Sequence, residues 1–165
     1  MNTKNNWRQV FVNIVKYLVM DVDGTLTDGK IYMGEHGEIC KAFDVKDGCG
    51  IHELAIPNGI KPVIITGRIS DIVSRRCQEL EIELVYQGVK DKLKKLKSTI
   101  SDLSQVAYIG DDINDLPCMM EVKKNGGVVG CPQDSVKEIL NISDFVSSYK
   151  GGNGAVREFI EWILY

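Results

Sequence analysis

The chain has 165 residues, which fits one domain able to bury roughly two thirds of its unfolded surface, and a second folded domain is not expected. Hydrophobic residues make up 44%, charged residues 26%, and the net charge is −3, a soluble globular profile without the basic excess of a nucleic-acid binder. Five scattered cysteines (Cys40, Cys49, Cys77, Cys118 and Cys131) form no paired motif and point to a reducing, cytoplasmic setting.

In chain order, residues 1 to about 9 are polar and expected to be loose. The apolar run Val10 to Met20 is broken by Asn13 and Lys16, lacks a cleavage site and is too short for a bilayer, so neither a leader nor a membrane span is predicted. Tyr17 to Val22 reads as a buried strand that ends in Asp21-Val22-Asp23-Gly24-Thr25. Lys30 to Phe43 then carries β-type residues, Ile31-Tyr32-Met33 and Ile39 to Phe43, around Gly34-Glu35-His36-Gly37, the pattern of a projecting β-hairpin.

Beyond the hairpin, strands are predicted at Pro62 to Thr66, Leu84 to Tyr86, Val106 to Ile109, Val128 to Val129 and Phe145 to Val146. Helices are predicted near Gly48 to Ala55, Ser70 to Leu80, Asp91 to Thr99, Asn114 to Met120, Ser135 to Leu140 and Ala155 to Leu164. Ser70 is expected to cap its helix, on which Ile72, Val73, Cys77 and Leu80 form an apolar stripe. The lysines of Lys90 to Lys97 fall on a helical segment and read as a solvated face. Cys49 and His52 have a metal-like spacing, but His36 is the only other histidine, which leaves a zinc set incomplete.

This alternation predicts one α/β domain over 1–165, a doubly wound parallel-sheet sandwich of Rossmann-like form. Short linkers after the third strand leave no place for a cap domain, so the site is either open or covered by another subunit. In such sheets the ligand lies outside the carboxyl ends of the strands. Those ends carry Asp21 and Asp23, then Thr66-Gly67-Arg68, then Gly88 leading to Lys92, then Gly110-Asp111-Asp112.

Converging carboxylates repel unless a cation lies among them, and Mg²⁺ is the oxygen-loving cation that suits a phosphate partner. The side chains of Asp21 and Asp111, with the Asp23 carbonyl, are candidate ligands. Thr66, Gly67 and Lys92 are candidates to hold a phosphate, Asp21 to attack it and Asp23 to serve as acid and base. Asp112 and Asp115 suit an outer role, orienting water, Lys92 or loop amides. Each piece alone has a plainer reading: Asp-Gly is a turn, Lys92 a surface lysine, and Gly110-Asp111-Asp112 a helix cap. Their conjunction at the strand ends of one sheet is what points to chemistry.

The motifs Asp21-Val22-Asp23-Gly24-Thr25, Thr66, Lys92 and Gly110-Asp111-Asp112-Ile113-Asn114-Asp115 resemble those of the haloacid dehalogenase superfamily of phosphohydrolases. Three further stretches, Thr27-Asp28-Gly29, Tyr86-Gln87-Gly88 and Gly151-Gly152-Asn153-Gly154 through Glu158, are similar to those of its capless branch acting on phosphorylated eight- and nine-carbon sugar acids.

The resemblance implies a Mg²⁺-dependent phosphomonoesterase that works through an aspartyl phosphate. It also implies a homotetramer whose hairpins, residues 30–43 here, form a central barrel and whose neighbouring subunit helps close each site. Ile31, Met33, Ile39 and Phe43 on a lone hairpin agree with such an assembly. Arg68, with Arg76 on the next helix, suits a substrate carboxylate and favours the eight-carbon 3-deoxy-D-manno-octulosonate 8-phosphate. Asn114 departs toward relatives that act on nonulosonate 9-phosphates, which keeps N-acylneuraminate 9-phosphate as the alternative. Two other readings are a signalling receiver domain, whose lysine would follow the acidic pair where Lys92 precedes it, and a non-catalytic assembly module, which would need none of these charges.

Overall fold

A computed structural model describes residues 15–165. The polar segment expected to be loose over 1–9, and the first residues of the apolar run from Val10, lie outside the described residues.

Six strands form one parallel sheet: β1 (Tyr17–Met20), β4 (Lys61–Ile65), β5 (Leu84–Tyr86), β6 (Val106–Ile109), β7 (Val128–Cys131) and β8 (Phe145–Val146). Their order is β5-β4-β1-β6-β7-β8. The chain winds outward from β1 through β4 to β5, then returns to the other side of β1 with β6 and continues to β7 and β8. The reversal therefore falls at β1, and the crevice at its carboxyl end is where this class of sheet binds ligands.

The strands are apolar because both faces are covered. Leu18, Met20, Ile64, Ala107 and Ile109 face α2 (Asp71–Glu79), α6 (Ala155–Leu164) and the segment that continues α1 (Val45–Cys49), where Ile51, Ala55, Val73, Cys77, Val156, Phe159 and Ile160 complete one core. The alternate residues Val19, Val63, Ile65 and Tyr108 face α3 (Lys92–Thr99), α4 (Leu116–Lys124) and α5 (Lys137–Ile142), against Leu96, Cys118, Met119, Val122 and Ile139. Phe145, Phe159 and Trp162 stack at the sheet edge with ring centroids 5.3–5.8 Å apart.

Helix boundaries differ from the sequence reading in ways that local chemistry explains. The first helix begins at Val45, three residues before the expected Gly48, because the Asp44 carboxylate caps it by accepting from Lys46 N at 2.6 Å. It continues through a π-helical segment, Gly50–Ala55. Helix α4 starts at Leu116, two residues after the expected Asn114, with Pro117 in its first turn. Ser70 does occupy the position before α2, but its hydroxyl makes no capping hydrogen bond; it donates to Glu38 Oε2 at 2.7 Å.

The hairpin forms as β2 (Tyr32–Gly34) and β3 (Gly37–Cys40), antiparallel, with an irregularity between Tyr32 and Met33. Ile31, Met33 and Ile39 on it are 48%, 64% and 65% exposed, apolar side chains that nothing among the described residues covers. No cap domain interrupts the sheet. No described helix is long and apolar enough to cross a membrane.

Candidate active site

Asp21 follows the last residue of β1 and is buried, its backbone N–H donating to the Ile109 carbonyl of β6 at 3.2 Å. The turn after it is tight: Thr25, Leu26 and Thr27 all donate backbone N–H groups to the Val22 carbonyl at 2.9–3.2 Å. Gly24 permits this turn with φ +97°, and a Cβ there would lie 2.0 Å from Asp111 Oδ2. Asp111, one residue beyond Gly110 at the end of β6, is thus pressed against the β1 turn, and its Oδ1 accepts from the Thr25 hydroxyl at 2.9 Å. The glycine-rich segment 151–154 backs the same turn, with Gly152 N donating to Thr25 O at 3.0 Å. A Cβ on Gly151 would meet the Gly24 carbonyl oxygen at 1.8 Å, a physical reason for glycine at that position.

Lys92 opens α3, where Asp91 caps the helix by accepting from Lys94 N. Its side chain is 3% exposed and its ammonium lies 2.9 Å from Asp21 Oδ1 and 2.8 Å from Asp115 Oδ1. Asp115 is fully buried and its acceptor positions are taken: Oδ1 by Lys92 and by the Tyr108 hydroxyl at 2.8 Å, Oδ2 by the Asp111 and Asp112 amides at 3.2 and 3.4 Å. It orients Lys92 and two loop amides. Asp112 is exposed, and its Oδ1 accepts from Ile113 N at 2.7 Å.

The electrostatics are those of anions crowded out of water. Burial, then the charge of Asp115, pushes Asp21 up to about 7 in spite of Lys92. Burial, then the charge of Asp21, pushes Asp111 up to about 8. Burial works against the Lys92 ammonium, but Asp21 and Asp115 outweigh it and raise its pKa.

Asp21, Asp111 and Asp115 each bring a carboxylate oxygen within 4.8 Å of the others. With Asp115 saturated, Asp21 and Asp111 are the pair open to a cation. Asp21 Oδ1 is buried, and its partner is the Lys92 ammonium, which lies 2.9 Å away and is shared with Asp115. A buried carboxylate with acceptor capacity left over beside a second carboxylate, both held above their ordinary range, fits a hard divalent cation with oxygen ligands.

Thr66, 2% exposed, ends β4 beside β1 and fixes its own backbone through Tyr86 O and Val89 N, each at 3.0 Å. Gly67 follows, and a Cβ there would meet only the Val89 carbonyl at 3.8 Å. Arg68 reaches back over the site: its Nε lies 3.7 Å from Asp23 Oδ2 and its Nη2 donates to Glu38 Oε1 at 3.3 Å.

Arg76 is not brought to that cluster within one chain. Its guanidinium lies against Gly48, sits 5.8 Å from the Phe43 ring centroid and pairs with Glu79 at 2.9 Å. A helix turn points it toward α1, away from the strand ends.

Three contributors escape the sequence reading. Lys41, just past β3, has a side chain 1% exposed and clasps Asp23 Oδ1 and Glu38 Oε1, the latter at 2.9 Å. Glu38 also binds Ser70 and Arg68. The hairpin therefore folds back onto the site of its own chain, in addition to presenting its apolar face outward. Tyr108, the third contributor, reads from sequence as a core aromatic, and only its hydroxyl contact reveals its role in holding Asp115. Glu38 and Lys41 lie three apart on the hairpin, but nothing local sets them apart from Lys30, Glu35 and His36 on the same segment.

No protein-family model matches the chain. A 3-deoxy-D-manno-octulosonate 8-phosphate phosphatase of Escherichia coli (strain K12) is 40% identical over 154 residues, covering 91% of this chain and 79% of that relative. The crystal structure of 3-deoxy-D-manno-octulosonate 8-phosphate phosphatase from Moraxella catarrhalis, in complex with magnesium ion, phosphate ion and KDO molecule, is similar with a TM-score of 0.85 at 39% identity, over 97% of this chain and 91% of that one. The cobalt-bound form of the corresponding phosphatase from Haemophilus influenzae gives 0.84 at 34% identity, over 93% and 90%.

Proposed function

We propose that this chain, which belongs to the 3-deoxy-D-manno-octulosonate 8-phosphate phosphatase family of the haloacid dehalogenase superfamily, hydrolyses the phosphomonoester of that sugar acid to the free acid and inorganic phosphate. One observation carries the assignment of roles: Asp21, buried at the end of β1, pairs with Lys92 through Oδ1 and brings a carboxylate oxygen within 4.8 Å of one of Asp111.

Asp21 is the nucleophile. Its carboxylate oxygen bonds to phosphorus as the bond from phosphorus to the sugar oxygen breaks, leaving an aspartyl phosphate. Lys92, Thr66 and the Gly67 amide hold the phosphoryl oxygens, and the ammonium neutralises charge that builds on them. Asp23 gives its proton to the departing sugar oxygen. It then takes a proton from the water that attacks the intermediate, so that Asp21 is restored and phosphate leaves. Asp21 and Asp111, with the Asp23 carbonyl, would hold Mg²⁺, which when bound screens the repulsion between a carboxylate and a phosphate. Asp115 and Tyr108 fix Lys92 in place.

The exposed Ile31, Met33 and Ile39 support a homotetramer built through the hairpins, and the scattered cysteines, of which Cys40 and Cys49 are exposed, support a cytoplasmic setting. A monomeric mass by light scattering at micromolar concentration would remove the tetramer. The decisive test is phosphate release from octulosonate 8-phosphate and from N-acylneuraminate 9-phosphate, with Mg²⁺ or with chelator, for wild type and Asp21→Asn. The expected result is a higher kcat/KM for the eight-carbon substrate, abolished by chelation and by the substitution. Turnover that survived both would falsify the mechanism.

A further inference from the structure

At the mouth of the site four charged side chains close a ring of alternating sign. Lys41 bridges Asp23 and Glu38, and Arg68 bridges the same two acids from the opposite side at 3.7 and 3.3 Å. Two of the four come from the hairpin, one from the β1 turn and one from the loop after β4. Only Asp23 of the four has a role in the chemistry above, yet Glu38 is the best bound: Lys41 at 2.9 Å, Arg68 at 3.3 Å and the Ser70 hydroxyl at 2.7 Å all donate to it. Its side chain is only 12% exposed. The Ser70 hydroxyl makes this contact and no capping bond to α2, while its own amide donates to Gln87 Oε1 at 2.7 Å.

We propose that Glu38 is an internal counter-anion that occupies the place of the substrate's carboxylate, and that substrate binding exchanges one carboxylate for the other. The inference rests on the sugar-acid reading above. A substrate with a phosphate at one end and a carboxylate at the other, once its phosphate lies against Asp21, Thr66 and Lys92, needs a cationic partner for the second anion. Arg68 and Lys41, with the Ser70 hydroxyl, are the donors nearest the mouth, and Glu38 already holds all three. A second carboxylate beside Glu38 would have to share those three donors with it in a partly desolvated place, whether or not Asp23 carries its catalytic proton. Exchange keeps the alternation and costs only the difference between two carboxylates.

The exchange has two kinetic consequences. Glu38 lowers the affinity for any carboxylate ligand by the fraction of time that it holds the donors. It also helps the product leave, because the free sugar acid keeps its carboxylate and must yield the donors when Glu38 returns. A phosphomonoester without a carboxylate has no need of those donors and leaves the ring intact.

The test compares wild type with Glu38→Gln, which keeps the shape and removes the charge. The probes are octulosonate 8-phosphate as substrate, the free octulosonate as competitive inhibitor, and p-nitrophenyl phosphate as an ester without a carboxylate. The expected result is a Ki for the free sugar acid lower by about threefold to tenfold, with a higher ratio of kcat/KM for the sugar-acid ester over p-nitrophenyl phosphate. An unchanged Ki, or equal losses on both esters, overturns the inference and makes Glu38 a clasp for the hairpin. Should melting or sizing show that Glu38→Gln disturbs the assembly, Glu38→Asp keeps the charge but withdraws the carboxylate by one methylene from its donors, and must shift Ki in the same direction by less. Wild type that hydrolyses p-nitrophenyl phosphate but not the sugar-acid ester overturns the substrate reading, and the exchange with it.

Discussion

Replacing Asp115 by asparagine separates two roles that its position allows. The carboxylate lies within 4.8 Å of Asp21 and Asp111, as a third metal ligand would, yet it accepts from Lys92, Tyr108 and the amides of Asp111 and Asp112. An asparagine offers one acceptor oxygen and one NH₂ group. Whichever way it is turned, the NH₂ faces two donors. Each donor left without an acceptor in the interior costs about 1–3 kcal/mol. The loss of a charge beside the buried Lys92 ammonium belongs to the class of changes worth about 3–5 kcal/mol, here reduced because Asp21 remains as a partner. These contributions overlap and do not add.

The metal-free protein should therefore lose about 3 kcal/mol of stability. A ligand role predicts the opposite sign, since removing one of three crowded anions relieves repulsion and weakens only the binding of magnesium. Urea unfolding at fixed protein concentration, in chelator and in saturating Mg²⁺, reads both. An unfolding midpoint in chelator equal to or above wild type, with the loss confined to magnesium half-saturation, would refute the saturated-acceptor argument.

Other outcomes follow from the same geometry. Gly24→Ala must drive the Asp111 carboxylate back by more than 1 Å from its 2.0 Å overlap and strain a φ of +97°, so kcat/KM should fall by about 100-fold, measured as phosphate release; activity within about twofold of wild type would contradict the packing. Asp21 and Asp111, raised from 3.8 to about 7 and about 8, hold protons in the folded metal-free protein that the unfolded chain has released. Their contribution to stability is full below pH 3.8 and is lost as pH rises through 8, so melting temperature in chelator should fall from pH 5.5 to 8.5 and the gain on adding Mg²⁺ should grow. Asp111→Asn should flatten that slope, and an equal slope in the variant would remove Asp111 as its source. Asp47, buried under the start of α6, accepts from Arg157 N at 2.8 Å and Gly154 N at 3.3 Å; Asp47→Ala should cost about 1–2 kcal/mol by chemical denaturation, and a neutral result would deny it the capping role.

Much of the fold and of the acidic centre was legible in the sequence because both obey short-range rules. A parallel strand covered on both faces must be apolar along its length, as Leu18, Val19 and Met20 are, and a turn must follow it, so Asp21 and Asp23 mark a strand end without any knowledge of the tertiary structure. The order of strand, hairpin and alternating helices then limits the winding to a few topologies, in which Asp21, Thr66, Lys92 and Asp111 meet. The tertiary structure decided what no local rule reaches. The hairpin periodicity gives two strands but not the direction in which they fold, and it is that direction that seals Lys41 against Asp23 and sets Glu38 between Arg68 and Ser70. Tyr108 and Asp115 are seven residues apart on different elements, and their hydrogen bond exists only once α4 packs on β6. Arg76 shows the converse: its spacing suits a partner for Arg68, but the packing of α2 on α1 turns it to Phe43 and Glu79. Periodicity sets the face a residue occupies, whereas the partner on that face depends on elements distant in the chain.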